Sequence, residues 1–188
     1  MTDLRLVRAT PENNLWKRLH TNWKVHIERH GIPGGWAEPQ LAHAEKIAAE
    51  PNQDRRYGIF VVCYGANNQG GAPYEAFVHI NFKGNGTQKD EVRLSWNRFA
   101  PRYQVEREHR RRLAAIQATM ISGAMALASR GSRTIPVRMF LGNDLDREFA
   151  TYFAAALGRI TGGKLQAAMV GNWLRITTGV EVTNDQGT

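Results

Sequence analysis

Cysteine is nearly missing from this chain: Cys63 is the only one, which excludes an internal disulfide framework and a zinc site built on cysteines. Cys63 also sits inside an apolar run, Ile59-Phe60-Val61-Val62-Cys63-Tyr64, which predicts a buried, inert thiol and not a nucleophile. No apolar run approaches the roughly 20 residues needed to span a bilayer. The opening of the chain is too mixed and charged for a secretory signal, so a cytoplasmic protein with no membrane partner is the expectation. No GxxxxGK[ST] loop and no GxSxG elbow occurs, which leaves nucleotide hydrolysis and serine-hydrolase chemistry without support. His26 and His30 stand one helical turn apart but lack the glutamate of an HExxH arrangement; they read as a helix-surface pair, and no metal is expected. Acidic residues are the minority, 17 Asp and Glu against 25 Lys and Arg, for a net charge of +8. That balance favours anionic partners (phosphates, nucleic acid or an acidic protein) without choosing among them.

At 188 residues and 42% hydrophobic, the chain makes one domain, 1–182, followed by a polar tail, 183–188. Leu4-Arg5-Leu6-Val7 alternates and predicts a first strand. Thr10 as N-cap, with Pro11 at the first helical position, predicts a helix to about Glu28 carrying Leu15, Leu19, Trp23, His26 and Ile27 on one side. Trp16 and Trp23 read as core. Glycines and Pro33 break this helix, and a second is expected from about Pro39 to Ala49. Residues 57–64 are a continuous apolar run, short enough for a strand buried on both faces. Past a glycine-rich loop, 65–71, residues 74–82 alternate, turn at 84–86, and alternate again at 92–96, an antiparallel meander.

An arginine-dense turn, 98–112, then leads into a long helix starting near Arg110, with Leu113, Ile116, Met120, Ala124 and Leu127 on one stripe and small residues that allow close packing. A strand at 135–141 follows, expected to lie parallel to a neighbour because a helix separates them. A last helix is capped by Asn143, has Asp144 and Asp146 at its positive end, and carries Leu145, Phe149, Phe153, Leu157 and Ile160 along its apolar side. Residues 165–177 predict a final strand or a bulged pair around Gly171. The expected class is α/β: a single-domain mixed sheet, a central antiparallel meander followed by a βαβα unit. A strand that stops at a cationic turn and restarts as a helix aims backbone N–H groups and positive charge at one point. A phosphate-bearing cofactor is the first expectation and a nucleic acid the second.

This order of elements resembles the GNAT superfamily of acyl-CoA-dependent N-acyltransferases. Local phrases carry the resemblance too: the opening Leu4-Arg5-Leu6-Val7-Arg8-Ala9-Thr10-Pro11-Glu12, then Ala100-Pro101-Arg102-Tyr103-Gln104, and the asparagine that precedes an aromatic helix, Asn143 to Tyr152. Arg110-Arg111-Arg112-Leu113-Ala114-Ala115 is the best match to the family's pyrophosphate motif, with Leu113 in place of its first glycine and Val105 to Glu108 as extra residues before it. The resemblance implies acetyl-CoA, or another acyl-CoA, as co-substrate. Its contacts would come from Phe99, Ala100, Arg102, Arg110, Arg111, Arg112, Leu113, Ala114, Ala115 and Asn143. Backbone N–H groups from Phe99 to Arg102 would face the oxyanion. Tyr152 matches in type the tyrosine that returns a proton to the leaving thiolate, reaching the groove where the fourth and fifth strands diverge. Glu75, His79 and Glu91 are candidates to accept the amine proton, with Glu75 and His79 expected on one face of one strand. The acceptor is then a small-molecule or peptide amine, and a homodimer is an option. Leu113, the extra residues and the charge of +8 motivate a second reading: a catalytically inactive relative of that fold binding an acidic protein or a nucleic acid.

Overall fold

A computed structural model describes residues 4–33, 35–51, 56–65, 71–83, 91–104, 110–130, 133–142 and 144–178. In chain order these form β1 (Leu4–Arg8), α1 (Leu15–His30), α2 (Glu38–Ala49), β2 (Gly58–Tyr64), β3 (Gly71–Lys83), β4 (Glu91–Phe99) and a 3-10 turn (Pro101–Gln104). Then come α3 (Arg110–Ala128), β5 (Ser129–Arg130), β6 (Arg133–Thr134), β7 (Val137–Phe140), α4 (Asp144–Ile160), β8 (Leu165–Val170) and β9 (Trp173–Thr178). Seven strands make one sheet in the order β1-β2-β3-β4-β7-β9-β8, while β5 and β6 pair separately. Only β4 and β7 run parallel; every other pair in the sheet is antiparallel. The result is a single-domain mixed α/β fold. No helix among the described residues is long and apolar enough to cross a membrane.

Two cores lie on opposite faces of this sheet. One packs α3 and α4 onto β2, β3, β4, β7 and β9, with Ile116, Met120 and Ile121 against Val78, Leu94 and Met139. The other packs α1 and α2 onto β2 and β3, with Leu15, Leu19 and Trp23 against Val61, Cys63 and Phe77. β2 therefore faces apolar side chains on both sides, which is why its sequence is a continuous apolar run and why the Cys63 thiol is buried. Gly123 brings α3 close to β1: a Cβ there would stand 2.5 Å from Leu6 Cδ2 and 2.8 Å from its Cβ.

Five local features depart from the sequence expectation. The first helix starts at Leu15, beyond Thr10 and Pro11. The Asn13 side chain explains the delay: its Oδ1 accepts from the backbone N–H groups of Thr10 and Leu15, both at 3.0 Å, and its Nδ2 donates to the Arg8 carbonyl at 2.8 Å. A polar run that satisfies its own backbone in a turn has no need of a helix. β4 extends to Phe99, so Arg98 and Phe99 belong to a strand and not to the turn. The terminal segment is a two-strand hairpin, β8 and β9, whose Val170 and Trp173 pair across Gly171 at φ 58°, a backbone angle suited to glycine. The short β5–β6 hairpin was not foreseen.

Two bulges are the fifth departure. Val62 pairs with Ala76 but Cys63 with Tyr74, leaving Glu75 as the extra residue of β3. Ile80 pairs with Leu94 but His79 with Trp96, leaving Ser95 as the extra residue of β4. A bulge bends its strand and re-aims a side chain. The glycine-rich loop at 66–70, the turn at 84–86, the inserted residues 105–108, Asn143 and the tail from 183 lie outside the described residues.

Candidate functional site

β4 and β7 pair at only three positions: Val92 with Val137, Arg93 with Arg138, and Leu94 with Met139. Immediately past Leu94 comes the Ser95 bulge, after which β4 continues to Phe99 with no strand partner on its β7 side among the described residues. A cavity of about 350 Å³ opens in this divergence. Trp96, Asn97, Arg98 and Phe99 of β4 form one wall, Phe140, Gly142 and Asp146 the other, and Trp36, Gln40 and Gln104 close it from the α1/α2 side. The unpaired edge of β4 carries backbone donors and acceptors that a bound chain would satisfy.

Among the described residues of that lining Asp146 is the one acidic group, and it is 3% exposed. It stands in the first turn of α4, where its Oδ1 accepts from Gln117 Nε2 at 3.0 Å and its Oδ2 from the Gly142 N–H at 3.2 Å. Arg98 is the cation of the lining; the Gln40 amide, oriented with its oxygen toward Arg98 (3.0 Å) and its nitrogen toward the Ala37 carbonyl (3.2 Å), satisfies both neighbours.

A second space, about 500 Å³, lies between α3 and α4. Arg111, Leu113 and Ala114 line it from the start of α3, and Phe149, Tyr152 and Phe153 from α4. Gln117 also borders this groove while holding Asp146, so one hydrogen bond stands between the two spaces.

The structure scatters the residues expected to act together. Glu75, re-aimed by its bulge, is wholly buried and surrounded: Arg102, the Tyr103 hydroxyl and Arg112 (2.7 Å) all converge on its carboxylate. Burial, reinforced by the hydrogen bond to Glu75, pushes the Tyr103 hydroxyl well above the ordinary tyrosine range. Glu75 thus ties β3 to the 3-10 turn and to α3, on the opposite side of the sheet from His79. The expected shared face of Glu75 and His79 is lost because the bulge breaks strand alternation between them.

His79 is instead packed among Tyr57, Trp96 and His43, with both ring nitrogens buried and without hydrogen-bond partners. Desolvation, with the nearby His43 adding to it, lowers its pKa to about 4. Glu91 lies at the far end of β4 from the cavity, paired with Arg93 and Arg138 (2.9 Å). Tyr152 is 71% exposed and faces the α3–α4 groove, not the strand divergence.

Of the residues expected at a cofactor, Phe99 lines the cavity, and Arg111, Leu113 and Ala114 line the groove. Ala100 is buried and Ala115 exposed. Arg102 and Arg112 are committed to Glu75, and Arg112 also stacks over the Tyr64 ring at 5.0 Å. Arg110 opens α3, but its side chain and Asn143 fall outside what is described. Asp146, Asn97, Gln104 and Gln40 were missed as site residues. Asp146 offered a signal in the sequence, a carboxylate in the first turn of a helix, but that signal reads equally well as a partner for the helix dipole. Among the described residues no group of three or more His, Cys, Asp or Glu is placed to hold a metal ion. Compared with family models, known proteins and solved structures, the chain matches none.

Proposed function

We propose that the chain is an acyl-CoA-dependent N-acyltransferase of GNAT-like architecture, which moves an acetyl group from acetyl-CoA to a primary amine. One observation carries this reading: β4 parts from β7 directly beyond the Ser95 bulge, and a cavity of about 350 Å³ occupies the gap. A slot bordered by an unpaired strand edge suits an extended, amide-bearing arm that completes the ladder, as coenzyme A carries. The sheet order, with its single parallel pair between a meander and a terminal hairpin, supports the same reading.

The residues present fit the arm better than the phosphates. Of three adjacent arginines at the start of α3, Arg112 is held by Glu75, and Arg111 is the described one that borders the groove. When bound, the thioester supplies an acyl group already activated toward a neutral amine. Asp146 then accepts the ammonium proton, directly or through water, in place of Glu75 and Glu91. Backbone N–H groups on the free edge of β4 stabilise charge on the thioester oxygen, and Trp96, Phe99 and Phe140 limit water around it.

Calorimetric titration with acetyl-CoA tests this directly. Saturable binding is expected, and a flat isotherm at millimolar ligand removes the reading. The internal commitment of Arg102 and Arg112, and a described cavity lining with no tyrosine, favour a second reading in which the fold binds an acidic protein or nucleic acid without turnover. Bound acetyl-CoA with no product from polyamine or peptide amines would select that alternative.

A further inference from the structure

Arginines are three times as frequent as lysines here, 19 against 6. Three of them stand side by side in the sheet: Arg93 of β4 pairs in register with Arg138 of β7, and Arg138 with Arg175 of β9. Residues paired in register share a face of the sheet, so the three guanidinium groups form a row about 10 Å long across three strands. Two residues further along the same face, about 7 Å away, Phe140 pairs in register with Trp173, their rings 5.3 Å apart. Arg93 lies over the Trp173 ring at 5.8 Å and links the two rows.

This is the face of β7 and β9 opposite Val137, Met139, Leu174 and Ile176, which are buried under α3 and α4. The core beneath α1 and α2 contains no residue of β7 or β9. The side chains of Arg93 and Arg138 retain 27% and 28% of their exposure. Glu91 neutralises part of the charge of these two, whereas no carboxylate pairs with Arg175 among the described residues.

We propose that this row of arginines beside a row of rings is a binding site for single-stranded nucleic acid, adjoining the acyl-transfer cavity at Phe140. Planar guanidinium groups match phosphate oxygens in a bidentate fork, and half-buried rings on a sheet give bases a surface to stack on. An acidic peptide would use the arginines but leave the ring row without a role. A duplex keeps its bases stacked inward, out of reach of rings on an open sheet face.

The test is fluorescence anisotropy of a short labelled oligothymidylate with the whole chain, at low and at physiological salt. Affinity should fall steeply with salt. Arg175→Gln breaks no ion pair, and should weaken binding roughly tenfold and reduce the salt slope by about one. Trp173→Leu should weaken it by a similar factor with the slope unchanged. If the Trp173 variant does not fold, Arg175→Gln decides alone. Wild-type binding by Arg175→Gln overturns the proposal. So does no binding of the oligonucleotide at low salt, or capture of an oligoglutamate peptide instead.

Discussion

Glu75 and Asp146 are both carboxylates buried almost completely, 0% and 3% exposed, yet the structure treats them in opposite ways. Glu75 is crowded by two guanidinium groups and a phenol, and no described cavity touches it. Asp146 accepts from the Gln117 amide and the Gly142 N–H, and it borders open space. A buried charge saturated by partners holds elements together. A buried charge beside a cavity is placed where a ligand can reach it. Depth of burial alone does not separate the two; the volume next to the carboxylate does.

The sharpest way to break this contrast is to neutralise each carboxylate in turn. Asp146→Asn should lower turnover roughly 10²–10⁴-fold if it accepts the amine proton, while acetyl-CoA binding persists by calorimetry. Unchanged turnover would move the proton acceptor elsewhere. Glu75→Ala should instead act on the fold, since it leaves Arg102 and Arg112 without their shared anion. We expect a loss of about 3 kcal/mol, at the lower end for a broken buried pair because both guanidinium groups can still reach water. Urea unfolding measures it, and a loss below about 1 kcal/mol would show that the cluster contributes little net stability.

His79 sharpens the comparison from the other face of the sheet. Its folded pKa, about 4, lies below the ordinary 6.5, so on acidification the unfolded chain takes up a proton first. The stability that neutral His79 supplies is therefore complete above about pH 6.5 and is lost as pH falls toward 4, by on the order of 3 kcal/mol at most. Comparing urea midpoints of the wild type and His79→Phe across that range isolates this contribution, because the variant should be less sensitive to acid. Equal pH dependence in both proteins would remove it. Tyr152→Phe should do least. At 71% exposure the hydroxyl makes little difference to stability, within about 0.5 kcal/mol, and its place in the α3–α4 groove leaves turnover at the wild-type level. A drop of 10²-fold or more would restore Tyr152 as the proton donor to the thiolate.

Much of the architecture was legible because period and breakers act locally. The apolar run of β2, the alternation of β3 and β4, the 3.6-residue stripe of α3 and the glycine at the β8–β9 turn each report their own environment. The start of α1 was misread because Thr10 and Pro11 carry the usual signals of a helix start, while the Asn13 side chain ties the Thr10 and Leu15 N–H groups into a turn. The candidate site was legible only in part. Phe99 lines the cavity at the strand divergence and Arg111, Leu113 and Ala114 the separate α3–α4 groove, whereas Glu75, Glu91 and Tyr152 fall away from the strand divergence.

What the sequence determined by itself, then, is the order of the four helices and the main strands, a strand after α3 lying parallel to a neighbour, and the excess of positive charge, all set by composition and by neighbours a few residues apart. The tertiary structure alone decided where charge is spent and where space remains. The bulges at Glu75 and Ser95 arise from the register between neighbouring strands, which the alternation of one strand does not report; one turned a candidate base into an ion-pair anchor, and the other stands where β4 and β7 part. The alignment of Arg93, Arg138 and Arg175 depends on the register of three strands spread over more than eighty residues. Register is a cooperative property of the whole sheet, and no local window of the chain contains it.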